Sequence, residues 1–318
     1  GRMYYYGKGV AQDYAQAFDW LTKAIGGGIG GAYALLGEMY HYGRGVEQDY
    51  NQAQKFYKEG ALRECALAQN NLGFMYEEGK HTEQDNQRAL ELYKSAADSC
   101  LAQAQANLGR MYEYGKIVKQ DYMEAVRLYR LAAQQENADG QNNLGRMYEH
   151  GKGVAKNYYE ALRLYSTSAA QGCGRGQVSL ALMYKNGLGV EQNYIEAVRL
   201  LKLAAEQNVS RANYYLGLMY EEGKGVERNY EQAVQLYSLA AEKGPAKNHK
   251  KALCKLGDLH SSGGLGLKQN YQEAVRLYSL AVKKGDDNAM YKLGRWYKKG
   301  IGVVDNLGQS MRLFQVAA

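Results

Sequence analysis

The chain has 318 residues, more than one compact core readily holds, so it suits two ordinary domains or one elongated array. Pro occurs once, at Pro245, against 38 Gly, a pairing that suits helices stopped by glycine turns. The net charge of +7 hides an asymmetry, since Lys243 to Lys299 carries 13 Lys/Arg against 4 Asp/Glu, and the absence of any run of 18 apolar residues excludes a membrane-spanning helix.

In chain order, the predicted elements alternate between two kinds of helix. The first, helix A, carries the signature Leu-Gly-x-Met-Tyr. Its glycine falls at Gly1, Gly37, Gly73, Gly109, Gly145, Ala181 (replacing Gly), Gly217, Gly257 and Gly294. The first six steps are 36 residues and the last two are 40 and 37, an internal repeat. With that glycine as zero, a small residue at −5 (Ala32, Ala68, Ala104, Ala212), Leu at −1 and Tyr at +3 form one helical stripe. The glycine lets the partner helix approach closely. His260 takes the Tyr place once and reads as a packed residue. Glycines at +6, such as Gly43 and Gly151, permit the positive φ of a helix stop, and a second glycine usually follows at +8.

The second kind, helix B, starts at Asp or Asn at +12, as in Asp49, Asp121 and Asn193, which are strong N-caps. Gln or Glu three residues later (Gln52, Glu124, Glu160, Glu196, Glu273) resembles a capping box. Ala at +16 and an aromatic at +20 follow, the aromatics being read as Trp20, Tyr57, Tyr93, Tyr129, Tyr165, Tyr237, Tyr278 and Phe314, with Leu201 once.

Departures from the pattern come in chain order too. The second glycine is lost at His81 and Ile117, so those two connections are expected to take a different path. Residues are inserted at 244–249 and 261–266, which predicts a re-aimed array near 244–266. The expected domains are therefore 1–243, about seven regular repeats with the first truncated, and 244–318, two further basic repeats. Gly1 lies midway through a helix A, which suggests a trimmed N-terminus or a fragment of a longer protein.

The unit A-x-x-x-L-G-x-M-Y-x-x-G-x-G-V-x-x-[DN]-Y-x-x-A-x-x-[YW]-x-x-A-A resembles the Sel1-like repeat, a relative of the 34-residue tetratricopeptide repeat with a longer connection between its helices. The match covers essentially the whole chain. It implies an all-α fold, an α/α superhelical solenoid of about nine Sel1-like helix-turn-helix repeats, with helices A on the concave side. It also implies adaptor functions in signalling, secretion, envelope biology or protein quality control.

No catalytic or metal-binding constellation is found. The four cysteines, Cys65, Cys100, Cys173 and Cys254, form no CxxC. They lack the paired pattern of cysteine-rich Sel1 proteins. That favours a cytoplasmic, reducing location and leaves a periplasmic or secreted one open. The five histidines form no H-E-x-x-H and no zinc spacing. Some cysteine-rich relatives are linked to penicillin binding, but S-x-x-K and K-T-G are both missing. Gly7-Lys8-Gly9 and its copies follow helices rather than strands, unlike phosphate loops. Of 30 Tyr, 21 sit at the repeat positions +3, +13 and +20, so the tyrosines serve packing and no nucleic-acid partner is expected. No cofactor is expected either.

Positions −3, +1 and +5 of helix A, bordered by −2, face away from the core stripe and are not fixed by packing within the array. They give the expected partner-binding residues Asn71, Phe74, Asn107, Arg110, Tyr114, Asn143, Arg146, His150, Tyr215 and Leu218. Asn amides hydrogen-bond an extended peptide backbone, and Arg grips a carboxylate. The expected function is a non-enzymatic scaffold or adaptor that binds a protein or peptide partner on the concave A-helix surface. An acidic partner suits the basic C-terminal end. The alternatives are an immunity- or inhibitor-type protein that blocks an enzyme or toxin, and a hydrolase of peptidoglycan-like or amide substrates. Arg110→Glu with Arg146→Glu is expected to abolish partner binding without unfolding the array.

Overall fold

The computed structural model describes residues 1–79, 81–115, 117–243, 246–263, 268–302 and 308–312. Among the described residues there are seventeen helices, a further helical stretch at 308–312, and no strand. The A helices are α1 (Arg2–Tyr6), α3 (Gly30–Tyr42), α5 (Ala66–Glu78), α7 (Ala102–Tyr114), α9 (Ala138–His150), α11 (Gly174–Asn186), α13 (Ser210–Glu222), α15 (Ala246–Ser262) and α17 (Asp287–Lys299). The B helices between them are α2 (Tyr14–Ile25), α4 (Tyr50–Leu62), α6 (Asn86–Asp98), α8 (Tyr122–Gln134), α10 (Tyr158–Ala170), α12 (Tyr194–Glu206), α14 (Tyr230–Lys243) and α16 (Tyr271–Lys283).

The residues group into two compact units, Gly1–Leu164 and Tyr165–Ala318. In the N-terminal unit each helix from α1 to α9 packs on the next, and neighbouring A helices also touch. In the C-terminal unit the same succession runs from α11 to α17. Consecutive packing of helix pairs, with each core shared between neighbours, is the α/α solenoid architecture. The division expected at 243/244 and part of the insertion at 244–266 fall on residues 244–245 and 264–267, outside the described residues.

The helix ends follow from the sequence with one change. Asp121 Oδ1 accepts from the Glu124 N–H at 3.0 Å, and Asn193, Asn229 and Asn270 cap α12, α14 and α16 in the same way. The reciprocal half of a capping box is not made. The Asp121 N–H donates instead to the Tyr112 carbonyl at 3.0 Å, which ties the start of helix B to the preceding helix A. Glu124, Glu160, Glu196 and Glu273 turn outward and pair with Arg127, Arg163, Arg199 and Arg276 three residues on. A glutamine cap is present as well, unforeseen from the spacing: Gln120 Nε2 donates to the Glu113 carbonyl at 2.8 Å, one of the orphaned acceptors at the end of α7.

The core lies between helices A and B. Tyr93, Tyr129 and Tyr237 of helix B are fully buried against helix A. A Cβ on Gly109 would stand 2.8 Å from the Tyr129 ring, and one on Gly217 2.7 Å from Tyr237, so the glycine is required by the ring. In the sixth repeat Ala181 replaces the glycine, and Leu201, also fully buried, replaces the tyrosine. One expected aromatic is corrected. Trp20 is 52 % exposed, and its neighbour Leu21, 4 % exposed, fills the +20 place because that place lies one residue later than assigned.

Lys80 and Lys116, in the two connections expected to differ, lie outside the described residues. The side chains around them differ from those of the other connections. The His81 ring stacks on Tyr50 with centroids 3.5 Å apart. Ile117 lines a cleft with Asn86, which stands where other B helices begin with Tyr.

Candidate functional site on the A-helix face

The expected site residues divide between the two units. Asn71, Phe74, Asn107, Arg110, Tyr114, Asn143, Arg146 and His150 come together on α5, α7 and α9 of the N-terminal unit. Tyr215 and Leu218 lie on α13 of the C-terminal unit, both half-buried.

The expectation that these positions are free of internal packing needs correction. Asn143 is buried, while Asn71, Asn107, Arg110 and Arg146 are half-buried. The arginines are held by the preceding repeat. Arg110 Nη2 lies 2.6 Å from Oε2 of Glu77, a carboxylate 8 % exposed. The same oxygen accepts from the Tyr93 hydroxyl at 3.0 Å. One repeat later Arg146 Nη2 lies 2.6 Å from Glu113 Oε2, which accepts from Tyr129 at 2.8 Å. A buried carboxylate needs such partners, and each link joins helices A and B of one repeat to helix A of the next.

The electrostatics follow from this arrangement. Burial, reinforced by the adjacent carboxylates, holds the Tyr93 and Tyr129 phenols well above their usual range. Arg110 and Arg146 are also held above their usual range: burial works against it, and the carboxylates Glu77 and Glu113 outweigh burial. Arg110→Glu and Arg146→Glu are therefore expected to destabilise the array, because each change would set a second carboxylate against a buried one.

The C-terminal unit builds the same link with different residues. Glu221 accepts from the Tyr237 hydroxyl and pairs with Lys255 at 2.9 Å. Asp258 accepts from Tyr278 at 2.7 Å and from Lys292. In the sixth repeat, where Leu201 replaces the tyrosine, Lys185 stands in place of the glutamate and Leu218 in place of the following arginine. The missed signal was Glu at +4 followed 33 residues later by Arg, which occurs at Glu77–Arg110 and Glu113–Arg146.

The asparagines form their own run. Asn107 Nδ2 donates to Asn70 Oδ1 at 2.9 Å, Asn70 Nδ2 to Asn71 Oδ1 at 3.1 Å, and Asn71 Nδ2 to Glu38 at 3.2 Å. Outward this face presents aromatic rings together with the exposed Glu78. Phe74 is 40 % exposed, Tyr114 is 52 % exposed, and His150 is exposed. Tyr114, Arg110 and Ile117 line a cleft of about 270 Å³, and the Arg146 guanidinium lies 5.9 Å from the Tyr114 ring centroid. Among the described residues no three His, Cys, Asp or Glu side chains gather as a metal site, and no helix is long and apolar enough to cross a membrane.

Comparison with known proteins accords with this architecture. The family model described as Sel1 repeat matches residues 1–28, 31–64, 66–99, 102–137, 138–173, 174–209, 210–245, 250–286 and 287–318. Among solved structures, the chain is similar to a protective antigen of uropathogenic Escherichia coli strains displaying an SLR fold. The two are 30 % identical with a TM-score of 0.56, over all of this chain and 74 % of that one. It is also similar to a Sel1 repeat protein from Oxalobacter formigenes, 29 % identical with a TM-score of 0.64, over 78 % of this chain and 96 % of that one. A comparison with curated protein sequences gives no match. With nine matched repeats, the chain belongs to the Sel1 repeat family, whose fold is in general a non-catalytic protein-interaction fold.

Proposed function

We propose that the chain is a non-enzymatic scaffold that binds an extended segment of a partner protein on the A-helix face of α5, α7 and α9. The observation that carries this reading is the exposure of two large aromatic side chains on the A helices, Tyr114 in the Arg110 cleft and Phe74 in a second cleft with Tyr50 and His81. Large exposed aromatics beside a cleft are the usual anchors of a protein interface. His150 extends the face, and the remaining Arg110 donors meet a carboxylate.

The test uses Phe74→Ala with Tyr114→Ala, since neither side chain hydrogen-bonds to the buried carboxylates Glu77 and Glu113. A partner captured from the native source, identified and purified, is titrated calorimetrically against both forms. We expect affinity to fall about tenfold or more with an unchanged Tm. Equal affinity of the two forms would remove this face from the interaction.

A further inference from the structure

The cleft that Phe74 lines departs from the rest of the array at two repeat positions. At +4, where Glu77, Glu113 and Glu221 accept from a buried tyrosine hydroxyl, the second repeat carries His41. At +8, where Gly45 lies against Tyr14 and Gly153 against Tyr122, the third repeat carries His81. Both imidazoles meet Tyr50: His81 stacks on its face with centroids 3.5 Å apart, and His41 meets it edge-on at 5.3 Å. With Phe74, Met75 and Glu78 they line a cleft of about 150 Å³.

The surroundings of His41 suit its neutral form. An imidazolium donates from both nitrogens, and Nδ1 of His41 is buried without a hydrogen-bond partner. On its own helix stand Tyr42, edge-on at 4.7 Å, and Glu38, which is held by the Tyr5 hydroxyl and the Asn71 amide. Arg44, in the connection after α3, lies over the Tyr42 ring. From α4 come Tyr50 and Tyr57, from α5 the exposed Glu78, and from beyond α5 His81. Burial, and after it the nearby His81, hold the His41 imidazole below its ordinary range.

The other walls of the cleft are the Tyr50 and Phe74 rings and the buried Met75 thioether, so the side chain that fits is apolar. Such a side chain covers His41 further and brings no acceptor for a second N–H. Binding then favours the neutral imidazole, and by linkage a proton on His41 weakens binding.

We propose that this cleft is an acid-sensitive latch. Near neutral pH an apolar side chain of the bound segment packs over His41 beside Phe74 and Tyr50, and protonation of His41 in mildly acidic solution releases it. The inference rests on the protein-binding reading above and adds its regulation.

The test pans a random-sequence displayed peptide library on the full chain near neutral pH. A recovered peptide without histidine is measured by fluorescence anisotropy from about pH 7.5 to about pH 5, the span in which imidazoles change charge. We expect affinity to fall with pH, by about tenfold per pH unit below the His41 midpoint, while helical circular dichroism stays constant. His41→Phe should bind with an affinity that no longer varies with pH, although His81 and His150 remain. In the wild-type chain, NMR of labelled histidines gives a readout that does not depend on how that variant folds: the His41 titration midpoint should move down when the peptide is bound. Affinity that is independent of pH, or that rises in acid as an acidic occupant would make it, overturns the proposal. So does a His41 midpoint that the peptide leaves in place or raises, or a pH dependence that survives in His41→Phe. A pH-independent peptide that is lost in Phe74→Ala/Tyr114→Ala removes the latch and leaves the binding face standing. Recovery of no peptide, or equal binding to that double variant, removes both.

Discussion

Arg110 and Arg146 show what a single helix, considered alone, leaves out. Projected on helix A they point away from their own core stripe, and from that projection they look free to grip a partner. The carboxylate that holds each one belongs to the previous helix A, 33 residues earlier, and no projection of one helix contains it. Removing one partner of a largely buried ion pair leaves the other uncompensated, which costs about 3–5 kcal/mol. Arg110→Glu is therefore expected to lower stability by at least that much in chemical denaturation, through repulsion with Glu77. Arg110→Met, which restores packing without a like charge, should cost less. A denaturation midpoint unchanged in Arg110→Glu would show that Glu77 does not depend on its arginine. The same lesson explains Trp20. Hydrophobicity and aromaticity made it resemble a core residue, and only its register shows that Leu21 fills the core place.

At the scale of the helix pair, most of the architecture was legible. Gly at zero, Ala at +16 and Tyr at +20 recur because one ring must lie against one bare stretch of backbone, and a strict steric demand leaves a strict periodicity. The N-caps were legible for a similar reason, since Asp and Asn satisfy a local need. The glutamates after them were misread because the cap N–H is already taken by the Tyr112-type carbonyl, a contact between helices that local spacing does not reveal. The sixth repeat shows how the demand can be met differently, with Ala181 and Leu201 exchanged together. Gly109→Ala should therefore cost about 1–3 kcal/mol through its clash with Tyr129. Adding Tyr129→Leu should cost less in that background than it does alone, even though it also frees Glu113. A double-mutant cycle in urea measures this coupling, and strict additivity would mean that ring and glycine do not constrain each other.

For the whole chain, the buried tyrosines set a pH limit. Tyr57, Tyr93, Tyr129, Tyr237 and Tyr278 are all held above the usual phenol range, first by burial and then chiefly by nearby carboxylates. A raised folded pKa means that the folded state keeps protons that the unfolded state gives up. Stability is then fully present below about pH 10, the unfolded phenol value, and is lost as pH rises above it. The last part of the phenolate absorbance should rise only as helical circular dichroism falls, above pH 10, and titration of all the tyrosines with the helices intact would contradict this. The links from repeat to repeat carry one more consequence. Because Glu77 reaches Arg110 and Glu113 reaches Arg146 over the same 33 residues, excising residues 110–145, one 36-residue period, would bring Glu77 to Arg146 in an unchanged register. Unequal crossing-over in the gene can thus shorten or lengthen this stretch without stranding an acid, whereas a junction that brought Glu113 next to the Leu218 repeat would take away its arginine. The pairing rule makes some copies interchangeable cassettes and others not, and so marks where such an array can grow.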